Sequence, residues 1–301
     1  MTNKKKGHLH WLRRKLPDQK VLERMDSLLK ELNLHTVCDS ALCPNRGECF
    51  KKGTATFMIL GNICTRNCKF CAVEKGKPLS LDPEEPHHIA QAAKHLNLKH
   101  IVVTSVTRDD LPDGGAEHFA RTIREIKKLL PESNIEVLIP DFEGSWGALQ
   151  IVINAQPEVI NHNIETVARL YNLVRPKAVY KRSLELLRQV KIRDKNIISK
   201  SGIMVGLGEE KEEVIEAMKD LREVDCDILT IGQYLKPSPH HLKVSNYIHP
   251  DKFEEYRNIG MSLGFKYVAS NPLVRSSYQA LTSNVRTALC RQIASYIFLL
   301  P

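Results

Sequence analysis

Six of the chain's eight cysteines, Cys38, Cys43, Cys49, Cys64, Cys68 and Cys71, are crowded between positions 38 and 71. The run Gly61-Asn62-Ile63-Cys64-Thr65-Arg66-Asn67-Cys68-Lys69-Phe70-Cys71 forms a Cys-x3-Cys-x2-Cys triad. Three thiolates on one short loop can hold three corners of a 4Fe-4S cube, leaving the fourth iron open. An open coordination position is what metal chemistry on a substrate requires. Zinc sites favour other spacings and need a fourth Cys or His close by, which this loop lacks. Upstream, Cys38, Cys43 and Cys49 form a Cys-x4-Cys-x5-Cys triad. It has the makings of a second 4Fe-4S site, whose fourth ligand comes from elsewhere or whose fourth iron stays open. Cys226, at the entry to an apolar strand, and Cys290, in a C-terminal helical stretch, read as packing thiols.

The elements that must position these loops are legible from periodicity. Residues 20–33 carry apolar positions at helical spacing and lead into the first cysteines. From Thr54 on, strand-like runs at 54–60, 100–104, 135–140, 159–163, 200–206 and 227–232 alternate with helical patterns near 84–96, 115–130, 145–154, 179–191, 210–223 and 250–263. Six such units predict an α/β fold with a helix-covered parallel sheet. Polar residues stand at the C-terminal end of nearly every strand (Thr104 and Ser105, Asp141, Asn161 and Asn163, Gly206, Gln233). That distribution favours a partial (β/α)6 TIM-type barrel over a doubly wound sheet with one switch point. The open side of so short a barrel must be covered by terminal segments. The expected organisation is an N-terminal extension at 1–53 with the first triad, a barrel at 54–265, and a C-terminal extension at 266–301.

With 301 residues, 42% hydrophobic and 26% charged, and with 15 Gly and 15 Pro, the chain is neither collagenous nor low-complexity nor disordered. No run reaches the ~18 apolar residues of a membrane span. The start, MTNKKKGHLHWLRRK, is too polar for a secretory leader. A cytoplasmic, reducing location is expected, where clustered thiols are read as metal ligands before disulfides. The net charge of +9 favours an acidic macromolecular partner or anionic cofactors.

The second cysteine triad, with Phe70 immediately before its last cysteine, resembles the signature of the radical S-adenosylmethionine (SAM) superfamily. The resemblance implies that SAM chelates the open iron and is cleaved by one electron to methionine and a 5'-deoxyadenosyl radical. Gly202-Ile203-Met204-Val205-Gly206-Leu207-Gly208-Glu209 is similar to that superfamily's fifth-strand motif, with Met204 at its usual Ile position. The pair of spacings narrows this to a resemblance to the lipoyl synthase family. Supporting segments include Val103 to Leu111, Asn161 to Val167, Tyr180 to Glu185, Leu229 to Leu235, and Val274-Arg275-Ser276-Ser277-Tyr278-Gln279-Ala280. The second serine of the last motif, Ser277, takes by position the family's role of odd ligand to the auxiliary cluster. Ser276 is the neighbouring alternative.

That resemblance implies a sulfurtransferase with two 4Fe-4S clusters and SAM as cofactors, placing sulfur at C6 and C8 of an octanoyl group. Neither position can be ionised by a side-chain base, so a radical is needed, and the auxiliary cluster gives up its own sulfides. Candidates for holding SAM are Phe70, Ser105, Glu165, Arg182 facing a carboxylate, and Gly206 where backbone must approach the cofactor. The implied partners are an octanoylated carrier domain, on a 2-oxoacid dehydrogenase subunit or the glycine cleavage H protein, and a donor such as flavodoxin or ferredoxin. No membrane or nucleic-acid partner is expected. The rival readings are a radical SAM methylthiotransferase acting on tRNA and a non-catalytic two-cluster electron carrier.

Overall fold

A computed structural model describes residues 10–12, 18–41, 43, 45–51 and 56–277. Cys290 and the C-terminal helical stretch assigned to it, Tyr278 onward, and the basic residues at 4–6 and 13–15 lie outside the described residues. Helix α1 (Gln19–Glu31), β1 (His35–Thr36), α2 (Val37–Ser40) and α3 (Arg46–Lys51) precede the first long-sheet strand of the expected barrel, β2 (Thr56–Ile59). A short pair, β3 (Ile63–Cys64) and β4 (Glu74–Lys75), brackets the second cysteine loop. Then follow α4 (Glu85–His95), β5 (His100–Ser105), α5 (Ala116–Leu129), β6 (Asn134–Leu138), α6 (Trp146–Asn154) and β7 (Val159–Asn161). The remainder comprises α7 (Tyr171–Val174), α8 (Tyr180–Arg193), β8 (Ile198–Val205), α9 (Lys211–Glu223), β9 (Ile228–Gln233), α10 (Pro250–Ser262) and β10 (Tyr267–Ser270).

The main sheet has eight strands in the order β1-β2-β5-β6-β7-β8-β9-β10. Every pairing in it is parallel except β1 with β2. The six expected strands are therefore neighbours in chain order, as a single winding direction requires. Among the described residues the sheet is open, with β1 and β10 at its edges. Strand β10 adds a seventh parallel strand that periodicity did not disclose. It is four residues long and only Val268 is fully buried, so it lacks an apolar run.

Helices cover the outer face because their buried residues recur at helical spacing. In α5, Ala116, Phe119, Ala120, Ile123 and Ile126 are buried while Glu117, Arg121 and Arg124 are exposed. The strands read as nearly continuous apolar runs because both faces are covered, and β2 and β9 are buried at every position.

Side chains alternate across a strand, so residues two apart share a face. Leu138, Asn163 and Gly202 line the central cavity, which puts Glu136, Asn161 and Lys200 on the same inner face one layer below. There, Lys200 Nζ donates to Glu136 Oε1 at 2.8 Å and Asn161 Nδ2 donates to the same oxygen at 3.1 Å. Burial would raise the Glu136 carboxyl, but the Lys200 charge and the His100 contact outweigh it and hold it at about 2. Lys200→Met should cost about 3–5 kcal/mol in urea unfolding, because it strands a buried carboxylate. Lys200→Met with Glu136→Leu should recover most of that loss. The depressed Glu136 value means its contribution is complete above pH ~4.3 and is lost as pH falls toward about 2.

Candidate functional site

All the parallel strands end on the same side of the sheet, and there the chain encloses a cavity of about 470 Å³. The six clustered cysteines all line it. Cys38 comes from α2, Cys43 from the following turn, Cys49 from α3, Cys64 from β3, and Cys68 and Cys71 from the loop between β3 and β4. Ser276 and Ser277, more than 200 positions further along, line the same cavity.

The loop carrying Cys64, Cys68 and Cys71 is tied down at both backbone and side chain. Leu60 and Gly61, both at positive φ, turn the chain out of β2. The Leu60 amide donates to Glu85 Oε2 at 2.8 Å, and that oxygen also meets His118 Nε2 at 2.7 Å. Beyond the turn, Thr65 N donates to Thr107 O at 3.0 Å, Lys69 N to Val174 O at 2.9 Å, and Lys177 Nζ to Thr65 O at 2.9 Å. His241 accepts from Ser238 Oγ at Nδ1, at 2.8 Å, and donates from Nε2 to Cys71 O at 3.0 Å. Arg66, buried inside the triad, donates to both oxygens of Asp109 at 2.8 Å and to Asp141 Oδ1 at 2.6 Å. Burial would raise the Asp141 carboxyl, but the hydrogen bond and charge of Arg66 outweigh it, with help from Arg182. The group stays well below the usual carboxylate range.

The first triad is held differently. Cys43 N donates to Cys38 O at 3.0 Å and Cys49 N to Asn45 O at 2.9 Å, which compacts the segment. Asn45 Nδ2 then donates to Leu273 O at 2.8 Å, joining this segment to the one carrying the two serines. That segment crosses the end of β9 at Gly232, where a Cβ would stand 2.2 Å from Val274 O. Only glycine allows so close a crossing.

The donor set fits iron-sulfur clusters. Among the described residues no three Cys, His, Asp or Glu side chains converge on a single metal ion. The three ligands of a cube bind three different irons and need not converge, unlike those of a closed zinc site. Burial pushes the Cys38 and Cys71 thiols up to about 12 and raises that of Cys68. Ionising such thiols requires a compensating positive charge, which bound iron provides. The cavity also fits a ligand rich in donors and acceptors. Ser105 Oγ, Asn163 Oδ1 and Arg175 Nε are buried without a hydrogen-bond partner, and all three residues line it.

Phe70, Ser105 and Glu165 line the cavity. Glu165 is half-buried at a positive φ of 66°, and desolvation raises its carboxyl although Arg175 and Asn163 oppose this. Arg182 and Gly206 are placed otherwise and do not line the cavity. Arg182 does face a carboxylate, but it is the protein's own, Asp141 Oδ2 at 2.8 Å. At Gly206, with φ 97°, a Cβ would stand 2.2 Å from Gln233 Nε2 and 2.4 Å from Asn246 O. Its glycine is required by the close packing of Gln233 and the 244–248 segment.

Two arginines escaped the sequence reading. Arg66 was visible inside the triad, but nothing local announced that it would be buried between two carboxylates. Arg175 follows α7, a four-residue helix too short for a periodic signal, and reaches the cavity only through the fold.

Residues 58–221 match the Radical SAM superfamily. A lipoyl synthase of Caldanaerobacter subterraneus subsp. tengcongensis is 64% identical over 86% of this chain and 91% of that protein. One from Caldicellulosiruptor bescii is 57% identical over 90% of this chain and 93% of that protein. Among solved structures, Streptococcus suis SuiB bound to S-adenosylmethionine aligns over 81% of this chain and 57% of that one, with TM-score 0.55 and 12% identity. HydG, a maturase of the FeFe-hydrogenase, aligns over 89% and 77% with TM-score 0.52 and 13% identity. At these identities the two structures attest a shared fold.

Asp141→Asn should remove one of the two carboxylates that neutralise Arg66 and cost on the order of 3 kcal/mol of unfolding free energy. Amide exchange across 63–72 should quicken more than across α5, since the loop loses a brace. Because the Asp141 carboxyl sits below its ordinary value of ~3.9, the wild type should keep this contribution until the pH falls below that value. Unchanged exchange in the loop would show that the network does not brace it.

Proposed function

This chain belongs to the lipoyl synthase family within the radical SAM superfamily, and on that premise we propose which of its residues carry the reaction. As a lipoyl synthase it is a sulfurtransferase that uses SAM and two 4Fe-4S clusters to place sulfur at C6 and C8 of a carrier-bound octanoyl group. Membership sets aside the tRNA methylthiotransferase and the non-catalytic electron carrier.

Cys64, Cys68 and Cys71 hold the cluster that binds SAM, and Cys38, Cys43, Cys49 and Ser277 hold the auxiliary one. The observation that supports this division is the convergence of both triads and the two serines on one cavity. Phe70, Ser105 and Glu165 contact SAM, with Asn163 and Arg175 completing that wall. SAM with its cluster supplies a primary carbon radical, strong enough to break unactivated C–H bonds. The chain's part is to place the octanoyl carbons and exclude water. Val106, Leu138, Ile203, Met204 and Leu235 supply an apolar lining for that purpose. Ser277 offers a hard oxygen to a soft iron corner, which makes that corner the readily displaced one.

Lys75, Lys236 and Arg275 also line the cavity, and Lys75 is exposed. Together with the net charge of +9 they suit an acidic carrier domain. We assign the carrier to a 2-oxoacid dehydrogenase subunit or the glycine cleavage H protein, and the electron donor to a flavodoxin or ferredoxin. Among the described residues no helix is long and apolar enough to cross a membrane. We place the enzyme in the cytoplasm with no nucleic-acid partner. The organisation proposed is an N-terminal extension at 1–53, a barrel at 54–265 and a C-terminal extension at 266–301. The last of these opens with β10, which continues the sheet.

Cys68→Ala should abolish 5'-deoxyadenosine formation in reconstituted protein. Cys43→Ala should leave it measurable while stopping sulfur insertion, both read by mass spectrometry. A Cys43 variant that still makes lipoyl groups would show the roles are reversed or shared.

Ser277→Cys should retain iron at the auxiliary site but slow sulfur transfer, and Ser277→Ala should leave one iron open to added thiols. The same changes at Ser276 should be milder. Full activity of Ser277→Ala through both insertions would remove Ser277 from the ligand set.

A further inference from the structure

Arg175 is a half-buried cation on the cavity wall, and the protein itself holds its guanidinium in place. Its Nη1 donates to Asn163 O at 2.9 Å and to Tyr171 Oη at 2.6 Å, and its guanidinium carbon lies 5.2 Å from the centre of the Tyr171 ring. The hydrogen bonds continue from Tyr171 Oη to Ser183 Oγ at 2.8 Å, from Ser183 Oγ to His162 Nε2 at 2.9 Å, and from His162 Nδ1 to Ile139 O at 2.8 Å.

The direction of this chain is determined by what each group can do. Arginine only donates, so Tyr171 Oη accepts and gives its one proton to Ser183. Ser183 gives its proton to His162 Nε2, and His162 keeps its proton on Nδ1 for the Ile139 carbonyl. Every proton has one acceptor only when His162 is neutral. Burial, aided by the Arg175 charge, pushes His162 down to about 4, which keeps it so. The other titratable and charged groups acting on His162 are Asp141 and Arg66.

This clamp holds one side of the guanidinium. The Lys69 amide donates to Val174 O at 2.9 Å, which sets the residue before Arg175 against the residue after Cys68; both side chains line the cavity, the guanidinium charge acts on the Cys68 thiol, and Nε is buried without a partner. Glu165 reaches Arg175 by charge alone, its carboxylate being taken up by Asn163 Nδ2 at 3.0 Å. A guanidinium is weakly hydrated, always charged and rigid, so a clamp of this kind makes it a fixed positive charge beside a cluster ligand.

We propose that Arg175 is a positioning residue that sets the reduction potential of the cluster held by Cys64, Cys68 and Cys71, by presenting a fixed positive charge to the Cys68 sulfur. This rests on the assignment of that triad to the SAM cluster. Adding one electron makes a cluster more negative, and a cation or hydrogen bond at its sulfurs stabilises that form and raises the potential.

The test is an EPR-monitored redox titration of the reconstituted full chain without SAM, reduced by dithionite. It follows the signal that changes shape when SAM is afterwards added to a parallel sample, with iron and sulfide analysis as the loading control. Arg175→Gln should lower the midpoint so that the ratio of reduced to oxidised cluster at a fixed potential falls about tenfold, which is 59 mV for one electron. Arg175→Lys keeps the charge but loses the fork, and Tyr171→Phe keeps the arginine but removes its clamp. Both should shift the midpoint in the same direction by less. An Arg175→Gln midpoint equal to wild type overturns the proposal, whatever happens to SAM affinity. Should Arg175→Gln fail to hold iron, wild-type midpoints in both Arg175→Lys and Tyr171→Phe overturn it equally. Absence of any SAM-responsive signal in the wild type would instead sink the triad assignment, and the role of Arg175 with it.

Discussion

A guanidinium buried in the middle of a cysteine loop cannot be left unpaired, and much of the site's geometry follows from how Arg66 is neutralised. Its two carboxylates come from different places: Asp109 from the loop after β5 and Asp141 from the turn after β6. Asp141 is shared with Arg182 of α8. The loop holding Cys64, Cys68 and Cys71 is thus braced against two strand ends and a helix by charge-assisted hydrogen bonds, which are directional and costly to break when buried. A flexible loop with the same three cysteines would have to be ordered by the metal itself, at the expense of binding energy.

Backbone chemistry builds the second half of the cavity wall. The N-terminal segment is short of regular structure and depends on contacts made across the chain, of which Asn45 to Leu273 is the clearest. Gly232 lets the C-terminal segment cross β9 at a distance that any side chain would prevent. Both terminal segments therefore meet over the strand ends and bring Cys38, Cys43, Cys49, Ser276 and Ser277 to the cavity that the barrel loop already faces.

The inner face of the sheet is stratified by charge. The Glu136–Lys200 ion pair, joined by Asn161 Nδ2, lies below the cavity and leaves no net charge between its two partners, although Asn161 Oδ1 has no partner. Above it the polar groups are deliberately unequal. Ser105 Oγ, Asn163 Oδ1 and Arg175 Nε have no internal partner, whereas His162, Ser183 and Tyr171 satisfy one another completely. A site that keeps some buried donors and acceptors free while fully satisfying their neighbours is one prepared for a polar ligand.

Sequence alone determined the chemistry class and the order of the elements. Cysteine spacing is a local property, so a run such as Cys64 to Cys71 can be read as a candidate cluster loop before any fold is known. Hydrophobic periodicity located all six expected strands and their helices because each buries a face large enough to leave a pattern. What periodicity cannot carry is short or non-local. Strand β10 has four residues and one buried apolar side chain, and α7 is a single turn. Arg182 was expected to meet a ligand's carboxylate and instead meets Asp141, because an arginine's partner is chosen by three-dimensional proximity between residues 41 positions apart. Gly206 marked a close approach, and the structure shows Gln233 and Asn246 making one. Only the tertiary structure could join two cysteine triads and a distant pair of serines in one space, since convergence is a property of how the sheet winds and not of any segment within it.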